Sequence, residues 1–238
     1  MKSGIQAEAQ KRGITRLCHF TPSRNLAQIL AGDTGILATK NLQASERAVY
    51  TPTDLARLDG LLDHICCSIE YPNAWYFEKA RSKEVLFKDW VIIFISPKYL
   101  WSTDAKFCPR NAAAAGGMYI EAGEVAFNNM FDNTISGAYG KTYSRTAKTL
   151  PFCATDEQAE VLIPDTVSLS DILGFAVQNE AQACNEIVRL KLLRIPRAVV
   201  ENLRIVIAPA LFDKYTLSAS LKSGVRPSEQ LFVDEKIG

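Results

Sequence analysis

The sequence predicts an α+β fold in one domain that spans residues 1–238. Apolar segments of strand length outnumber segments with helical periodicity, and the two kinds do not alternate in the regular rhythm of a parallel α/β sheet. Hydrophobic residues make up 47% of the chain and charged residues 22%, proportions that are typical of a globular protein and not of a disordered one.

The N-terminal part begins with a predicted strand and a predicted helix. β-branched and apolar residues predict a strand over Ile14–Phe20. Thr21 or Ser23 is a suitable N-cap for the helix that follows, over residues 25–32, whose apolar side chains share one face. The next segment is less regular, and we expect only a short helix at about Asp54–Leu58.

Two buried strands and a long irregular region come next. Ile65–Ile69 and Trp90–Ile95 are continuous apolar runs, followed by Pro72 and Pro97, and they are typical of strands buried on both faces. Residues 104–150 are rich in Gly, Asn and Ala and predict loops with short helices. Such a region inside a domain is usually functional or mobile.

Regular structure resumes in the last third of the chain. A strand is predicted over Gln158–Ile163, stopped by Pro164, and another over Ile172–Val177. A helix is expected near Ala181–Arg194, and a further strand over Arg204–Ala208.

Composition and motifs exclude several classes of protein. The net charge of +1 excludes a histone-like polycation, although a local basic face can still bind nucleic acid. No P-loop or glycine-rich dinucleotide fingerprint is present. No apolar run approaches the ~20 residues of a membrane helix, and the N-terminus lacks the apolar stretch of a secretory signal.

Cysteine and histidine usage points to the cytoplasm and away from a metal site. The six cysteines stand in or beside apolar segments without CxxC spacing, so they are expected to be reduced and mostly buried in a cytoplasmic protein. His19 and His64 are the only histidines, and no paired Cys/His motif is present, which argues against a zinc site.

Polar residues that could take part in catalysis or binding stand at the ends of three predicted strands. His19 and Thr21 close the first strand, and Ser68 closes the second. Gln158 and Glu160 are two residues apart in a later strand, so their side chains are expected to share one face. A carboxylate next to an apolar strand core is costly to bury unless it is paired or hydrogen-bonded, so its presence suggests a function.

Each of these features also has an ordinary structural explanation. His19 could be a satisfied core histidine, and Gln158 with Glu160 could be a solvated strand face. The aromatic run that contains Tyr71 and Tyr76 could be core, although its alternation with Asn73 and charged residues suits a stacking surface at a cleft.

Taken in order, these strand ends resemble those of the ADP-ribosyltransferase fold, a split β-sheet core with peripheral helices. Within that fold the chain is most similar to the DarT family of toxins, which attach ADP-ribose to bases of single-stranded DNA. The matching stretches are LCHFTPSRNLAQILAGDTGI (17–36), TDLARLDG (53–60), ICCSIEYPNAWYF (65–77), WVIIFISPKYLWSTDAKFCPRNAA (90–113) and EQAEVLIPDTV (157–167). The resemblance covers about residues 14–175, and residues 176–238 are expected to pack on the same core.

The resemblance implies NAD as co-substrate, no metal, and three catalytic residues. Glu160 would stabilise the positive charge that develops on the ribose when nicotinamide leaves. Gln158 would contact the acceptor. Arg57, with Arg47 in reserve, would bind the pyrophosphate or help to deprotonate the acceptor base, although an arginine there could equally be a solvated helix residue. The implied NAD-binding residues are His19, Phe20, Thr21, Gly35, Arg57, Ser68, Tyr71 and Tyr76, of which Tyr71 or Tyr76 would stack on the nicotinamide.

The acceptor groove is expected in the loop before Glu160. Lys141, Tyr143, Arg145 and Lys148 alternate basic and aromatic character, as a groove for a single strand requires. Composition alone fits a charged exposed loop equally well. Further groove residues are expected at Trp101, Lys106 and Arg110.

The function implied by the resemblance is transfer of ADP-ribose from NAD to thymine or guanine in single-stranded DNA. A toxin of this kind needs a neutralising partner, and the family's partner is a macrodomain antitoxin similar to DarG. No membrane partner is expected. Two alternatives remain at this stage: an ADP-ribosyltransferase that acts on RNA or protein, and a nucleic-acid-binding module that kept the fold without the chemistry.

Overall fold

The computed structural model describes residues 4–31, 34–42, 59–84, 87–137 and 140–233. Its strands are β1 (Leu17–Pro22), β2 (Ile36–Leu37), β3 (His64–Ile69), β4 (Trp90–Ile95), β5 (Lys106–Cys108), β6 (Glu121–Ala122), β7 (Thr134–Ser136), β8 (Thr142–Ser144), β9 (Glu160–Pro164), β10 (Thr166–Val167), β11 (Ile172–Val177), β12 (Ile205–Ile207) and β13 (Gln230–Leu231). Its α-helices are α1 (Gly4–Arg12), α2 (Ser23–Ala31), α3 (Ala74–Lys83), α4 (Gly123–Asn129), α5 (Glu180–Leu192), α6 (Arg197–Asn202) and α7 (Lys214–Ser223).

A nine-stranded sheet organises these elements in the order β13-β12-β11-β4-β1-β3-β9-β5-β6. Neighbouring strands in it are antiparallel except β11 and β12, which are parallel. All six residues of β4 are buried because this strand lies between β1 and β11. Helices surround this mixed sheet, so the predicted α+β class with a split sheet is confirmed.

The sheet is split between β1 and β3. These strands pair at only two positions, Leu17 with Ile69 and Cys18 with Ser68, whereas β1 pairs with β4 at six positions. Beyond Cys18 the two strands separate, and a cleft opens between them. The cleft is therefore a direct consequence of the short β1–β3 register.

Most predicted strands are present, with shifted ends. The Trp90–Ile95 and Ile172–Val177 strands have the predicted bounds. The predicted Ile14–Phe20 strand begins three residues later, at Leu17, and the predicted 158–163 strand begins at Glu160. The predicted short helix at Asp54–Leu58 lies outside the described residues.

The helices differ more from the sequence prediction. The helix predicted over residues 25–32 begins at Ser23, and the one predicted near Ala181–Arg194 spans Glu180–Leu192. Helix α1 has no counterpart among the predicted elements, because its only fully buried residue is Ala9 and its sequence shows little apolar periodicity. All six cysteines are free thiols, and Cys184 is exposed.

Candidate active site

The cleft at the split of the sheet collects polar side chains from β1, β3, β9 and α3. His19 lies within β1 and not at the end of the strand, where it was predicted. The residues that line the cleft and were predicted as functional are His19, Phe20, Thr21, Gly35, Ser68, Tyr76 and Glu160. They are far apart in sequence and meet because β1, β3 and β9 end or separate at this point. The predicted combination of a histidine, a serine and a glutamate is therefore brought together in one place.

Glu160 is a buried carboxylate of the cleft, with 8% of its surface exposed, and Asp59 is a second one at 9%. It is the first residue of β9 and pairs with Cys108 of β5. Its Oε1 atom accepts two amide N–H groups, from Asn73 Nδ2 at 3.1 Å and from Asn111 Nδ2 at 3.0 Å. Two donors on one oxygen stabilise the ionised carboxylate and fix its direction in the cleft.

Asn73 links this carboxylate to the start of α3. It is the N-cap of α3, and its Oδ1 accepts the backbone N–H of Tyr76 at 3.0 Å. Since Oδ1 is engaged with that N–H, the amide nitrogen faces Glu160 and its orientation is unambiguous. The backbone N–H of Asn73 also donates to the Ser68 hydroxyl at 3.1 Å. One residue thus joins β3, α3 and the carboxylate, and it places the positive end of the helix dipole beside Glu160.

Neither Asn73 nor Asn111 is among the functional residues predicted from the sequence. Asn73 stands in the YPN segment immediately before α3, and an asparagine at this position is a recognisable N-cap signal. Asn111 stands in a loop and has no comparable local signal. Its contact with Glu160, 49 residues away in sequence, is visible only in the fold.

His19 bridges the split of the sheet. Its Nδ1 lies 2.9 Å from the carbonyl oxygen of Cys66 on β3. A carbonyl oxygen only accepts, so Nδ1 carries a proton and donates it to this oxygen. The bond fixes the orientation of the imidazole ring on the wall of the cleft.

Thr21, Phe20 and Gly35 shape the wall next to His19. The Thr21 hydroxyl accepts a hydrogen bond from Asn25 Nδ2 at 2.8 Å, and the Phe20 ring packs 4.9 Å from the ring of Phe77. Gly35 has a positive φ of 74°, and a Cβ there would lie 2.2 Å from the carbonyl oxygen of Val167. Only glycine fits this close approach.

Of the two tyrosines predicted to stack on nicotinamide, only Tyr76 lies in the cleft. Tyr71 is buried, 6.2 Å from the Phe152 ring, with the Arg16 guanidinium over its own ring. Burial raises the pKa of its phenol. Tyr71 therefore belongs to the core, and the expectation of a nicotinamide contact for it does not fit its position.

Gln158 does not share a strand face with Glu160, contrary to expectation. It lies in a turn, where its backbone N–H donates to Asp156 Oδ1 at 2.9 Å and the N–H of Ala159 donates to the Asp156 carbonyl. This local turn ends before β9 begins, so the alternation of a strand does not reach Gln158. Its side chain lies close to Tyr143. Arg57 and the reserve Arg47 lie outside the described residues.

The predicted nucleic-acid residues fall into two groups. Lys141 and Lys148 are exposed, and Tyr143 is half-buried next to the turn that precedes Glu160. Arg145 instead holds its own loop together, because its guanidinium donates to the carbonyls of Cys153 at 2.7 Å and Leu150 at 3.0 Å. Those contacts occupy Arg145, and they argue against the predicted phosphate contact.

The predicted extension of the groove is also internal. Trp101 packs against the hydrophobic core. Arg110 is buried, with its guanidinium 4.6 Å from the centre of the Tyr119 ring. Lys106 is half-buried in β5. Arg110 therefore offers no exposed surface to a strand of DNA, whereas Trp101 and Lys106 are only partly buried.

Electrostatics in the cleft favour carboxylate chemistry over thiol chemistry. Burial raises the pKa of the Cys108 thiol, next to Glu160 in the ladder, to about 11, and burial together with nearby negative charge raises the pKa of Cys67 well above its ordinary value. Neither thiol is a thiolate nucleophile at neutral pH. Among the residues that the structure describes, no group of three or more His, Cys, Asp or Glu side chains is arranged to hold a metal ion. No helix in these ranges has the length and apolar character to cross a membrane.

Comparison with solved structures shows that the fold is shared with DarT proteins. "Thermus sp. 2.9 DarT in complex with NAD+" matches with a TM-score of 0.55 at 15% identity, over 83% of this chain and 97% of that one. "Thermus sp. 2.9 DarT in complex with ADP-ribosylated ssDNA" matches with a TM-score of 0.56 at 13% identity, over 84% and 97%. "Thermosipho africanus DarTG in complex with ADP-ribose" matches with a TM-score of 0.52 at 15% identity, over 83% of this chain and 51% of that one.

Sequence comparison defines the family. No curated protein matches the sequence significantly. The family described as "ssDNA thymidine ADP-ribosyltransferase, DarT" matches residues 18–213. Because this match spans most of the 238 residues and includes every described strand and helix end that lines the cleft, the chain belongs to the DarT family.

Proposed function

We propose that this protein transfers ADP-ribose from NAD to a thymine base of single-stranded DNA, with Glu160 as the central catalytic residue. The observation that carries the proposal is the Glu160 carboxylate, buried at the split of the sheet and held by two amide donors on one oxygen. The description of the family supplies the acceptor, thymidine in single-stranded DNA.

The chemistry of the transfer explains why this carboxylate is needed. Cleavage of the bond between nicotinamide and ribose leaves positive charge on the ribose carbon, as in glycoside hydrolysis. A fixed carboxylate beside that ribose accepts a hydrogen bond from its 2′-hydroxyl and stabilises the developing charge. Asn73 and Asn111 hold Glu160 in one orientation before the reaction begins. The protein thereby avoids reorganising the carboxylate during bond cleavage.

The residues around Glu160 fit the two ends of NAD. His19 and Thr21, which both line the cleft, suit the hydroxyls of the adenosine-side ribose. Tyr76, at the start of α3, suits the face of the nicotinamide ring. Arg57 remains the proposed cation for the pyrophosphate or for deprotonation of the acceptor base.

The proposed DNA contacts lie in the loop that precedes Glu160. Lys141 and Lys148 are exposed cations that suit phosphates, and Tyr143 offers an aromatic ring for stacking. A base must leave its stack to reach a buried carboxylate, so a single strand is a better substrate than a duplex. Gln158 lies close to that ring, and it remains the proposed contact to the acceptor.

A labelled-NAD assay tests the proposal against its alternatives. The protein is incubated with labelled NAD and, separately, with single-stranded DNA, RNA or a protein extract. We expect label on DNA and not on the other two acceptors, and thymine homopolymers should be labelled in preference to guanine-containing strands that lack thymine. Transfer to RNA or protein alone would overturn the proposed acceptor, and no transfer at all would favour a binding module without chemistry.

We also propose that the protein acts as a toxin that is neutralised by a macrodomain antitoxin. Modified bases obstruct replication, so expression of the wild type should stop growth, whereas a Glu160→Ala variant should not. Co-expression of a macrodomain that removes ADP-ribose from DNA should restore growth. Equal growth of cells that carry the wild type and the Glu160→Ala variant would contradict this proposal.

A further inference from the structure

A second cavity of about 380 Å³ lies next to the cleft and meets it at Ser68, which lines both. This volume is within the range of about 300–1,000 Å³ that is typical of ligand pockets. One wall is the loop with Tyr143 and Thr149, and the opposite wall is α7, through Leu217 and Leu221. Helix α7 begins at Lys214, one residue after the family match ends. The cavity is thus built partly from an element beyond that match.

Helix α7 is fastened to the turn that precedes Glu160. The Ser218 hydroxyl donates to Glu157 Oε1 at 2.8 Å, and the Trp75 indole donates to Glu157 Oε2 at 3.1 Å. Lys214 forms a salt bridge with Glu78 of α3 at 2.7 Å. These contacts fix the position of the α7 wall relative to α3 and to the start of β9.

The lining of the cavity selects the chemistry of its ligand. Tyr143 and the leucines of α7 provide flat and apolar surface, whereas Asp156 provides a buried carboxyl with 3% of its surface exposed. One Asp156 oxygen accepts the N–H of Gln158. A carboxylate accepts hydrogen bonds from N–H groups, so the lining matches a flat ring that carries N–H donors on its edge.

The same lining disfavours a phosphate. Asp156 and Glu157 both face the cavity, and an anion between them would be repelled. Lys222 also lines the cavity, but it is exposed and its ammonium already pairs with the Glu157 carboxylate at 3.8 Å. Lys148 is exposed on the loop, so a phosphate backbone can run outside along these cations while a base points inward. A nucleobase therefore fits better than a free anion.

We propose that this cavity binds a nucleobase of the acceptor strand that neighbours the modified base. Asp156 recognises it through N–H groups, for which guanine is the best match because it presents two adjacent donors. The α7 wall, which lies beyond the family match, would then contribute to the preferred sequence context. The inference rests on the proposed function, and it adds the choice of flanking nucleotide.

Bulky substitutions on both walls test the proposal. Leu221→Trp fills the cavity from α7, and Thr142→Trp fills it from the exposed edge of β8. Ala219→Trp is the matched control, since Ala219 is exposed on α7 and is not part of the lining. For each variant, kcat/KM is measured on single-stranded DNA with randomised positions around one target base, and NAD hydrolysis is measured without DNA.

We expect each wall variant to lose at least tenfold in kcat/KM for DNA, more than it loses in NAD hydrolysis, and to show a flattened flanking preference. Ala219→Trp should behave as the wild type. Asp156→Asn should lose the preference for guanine at one flanking position. Unchanged flanking preference in both wall variants, or equal losses of DNA modification and NAD hydrolysis in both, would overturn the proposal. Failure of the proposed function is distinguishable, because the wild type itself would then modify no DNA.

Discussion

Replacing Asn73 by aspartate tests how Glu160 is held. One oxygen of the new carboxylate can still accept the Tyr76 N–H, and aspartate caps helices as well as asparagine does, so α3 should remain intact. The other oxygen would stand where Nδ2 now donates to Glu160, 3.1 Å from Oε1. The substitution therefore exchanges a donor for an anion with almost no change in shape.

The expected size of the effect follows from the lost interaction. A hydrogen bond to a charged group contributes about 1.5–3 kcal/mol, and two adjacent carboxylates do not both ionise readily. Since 1.36 kcal/mol corresponds to a factor of ten, loss of this bond to the carboxylate should lower kcat by about one to two decades. Two adjacent carboxyl groups retain a shared proton most readily at acid pH, so the loss should be largest there.

The assay is kcat for ADP-ribose transfer to single-stranded DNA between pH 5 and 9. We expect Asn73→Asp to be strongly impaired at acid pH and to recover towards alkaline pH, with KM for NAD little changed. Asn179→Asp is the matched control, because Asn179 caps α5 in the same way and makes no contact with Glu160. A profile of Asn73→Asp that matches the control at every pH would refute the positioning role.

Three further predictions address the NAD side, the DNA side and stability. His19→Ala should weaken NAD binding by about 0.5–1.5 kcal/mol, the net contribution of one hydrogen bond. An unchanged Kd for NAD in calorimetry would show that His19 is not part of the NAD site. A double Lys141→Ala, Lys148→Ala variant should reduce the slope of the logarithm of the association constant for single-stranded DNA against the logarithm of the salt concentration by about 1.4, at ~0.7 per phosphate. An unaltered slope would mean that the phosphates bind elsewhere. Burial raises the pKa of Asp156 to about 6, from an ordinary 3.8, with a smaller contribution from Glu157. The protonated form of Asp156 therefore stabilises the fold at low pH, and that contribution is lost as pH rises through about 6. Asp156→Asn should raise the free energy of unfolding by up to about 3 kcal/mol at pH 8 and little at pH 4. Urea unfolding at both pH values would show this difference.

The strand framework could be read from the sequence because its signals are local. Trp90–Ile95 is six apolar residues long and is buried throughout, so its pattern alone defines it. Glu160 and His19 could likewise be assigned to strands that meet in one cleft, although His19 lies within β1 and not at its predicted end. Residues that belong to such apolar strands were therefore predictable.

Side chains whose positions depend on local turns were not predictable. The Asp156 carboxyl and carbonyl accept the N–H groups of Gln158 and Ala159, which removes Gln158 from the strand that its sequence suggests. Glu70 adopts a positive φ of 61°, and this turn sends Tyr71 into the core a few residues before Tyr76 reaches the cleft. An aromatic run does not reveal such a change of direction.

Contacts between distant segments were also hidden in the sequence. Arg145 resembles a phosphate-binding cation in composition, yet carbonyl groups five and eight residues further along the chain occupy its guanidinium. Asn111 approaches Glu160 only because β5 pairs with β9. Long-range pairing of this kind requires the fold.

Mass spectrometry of a reacted oligonucleotide tests the central claim most directly. A short single strand that contains one thymine is incubated with NAD and either the wild type or Glu160→Gln, which keeps the size of the side chain and removes its charge. We predict a mass increase of one ADP-ribose on the thymine with the wild type, and at least about a hundredfold slower modification with Glu160→Gln. An oligonucleotide left unmodified by the wild type, or modified equally fast by Glu160→Gln, would contradict the assignment of this cleft.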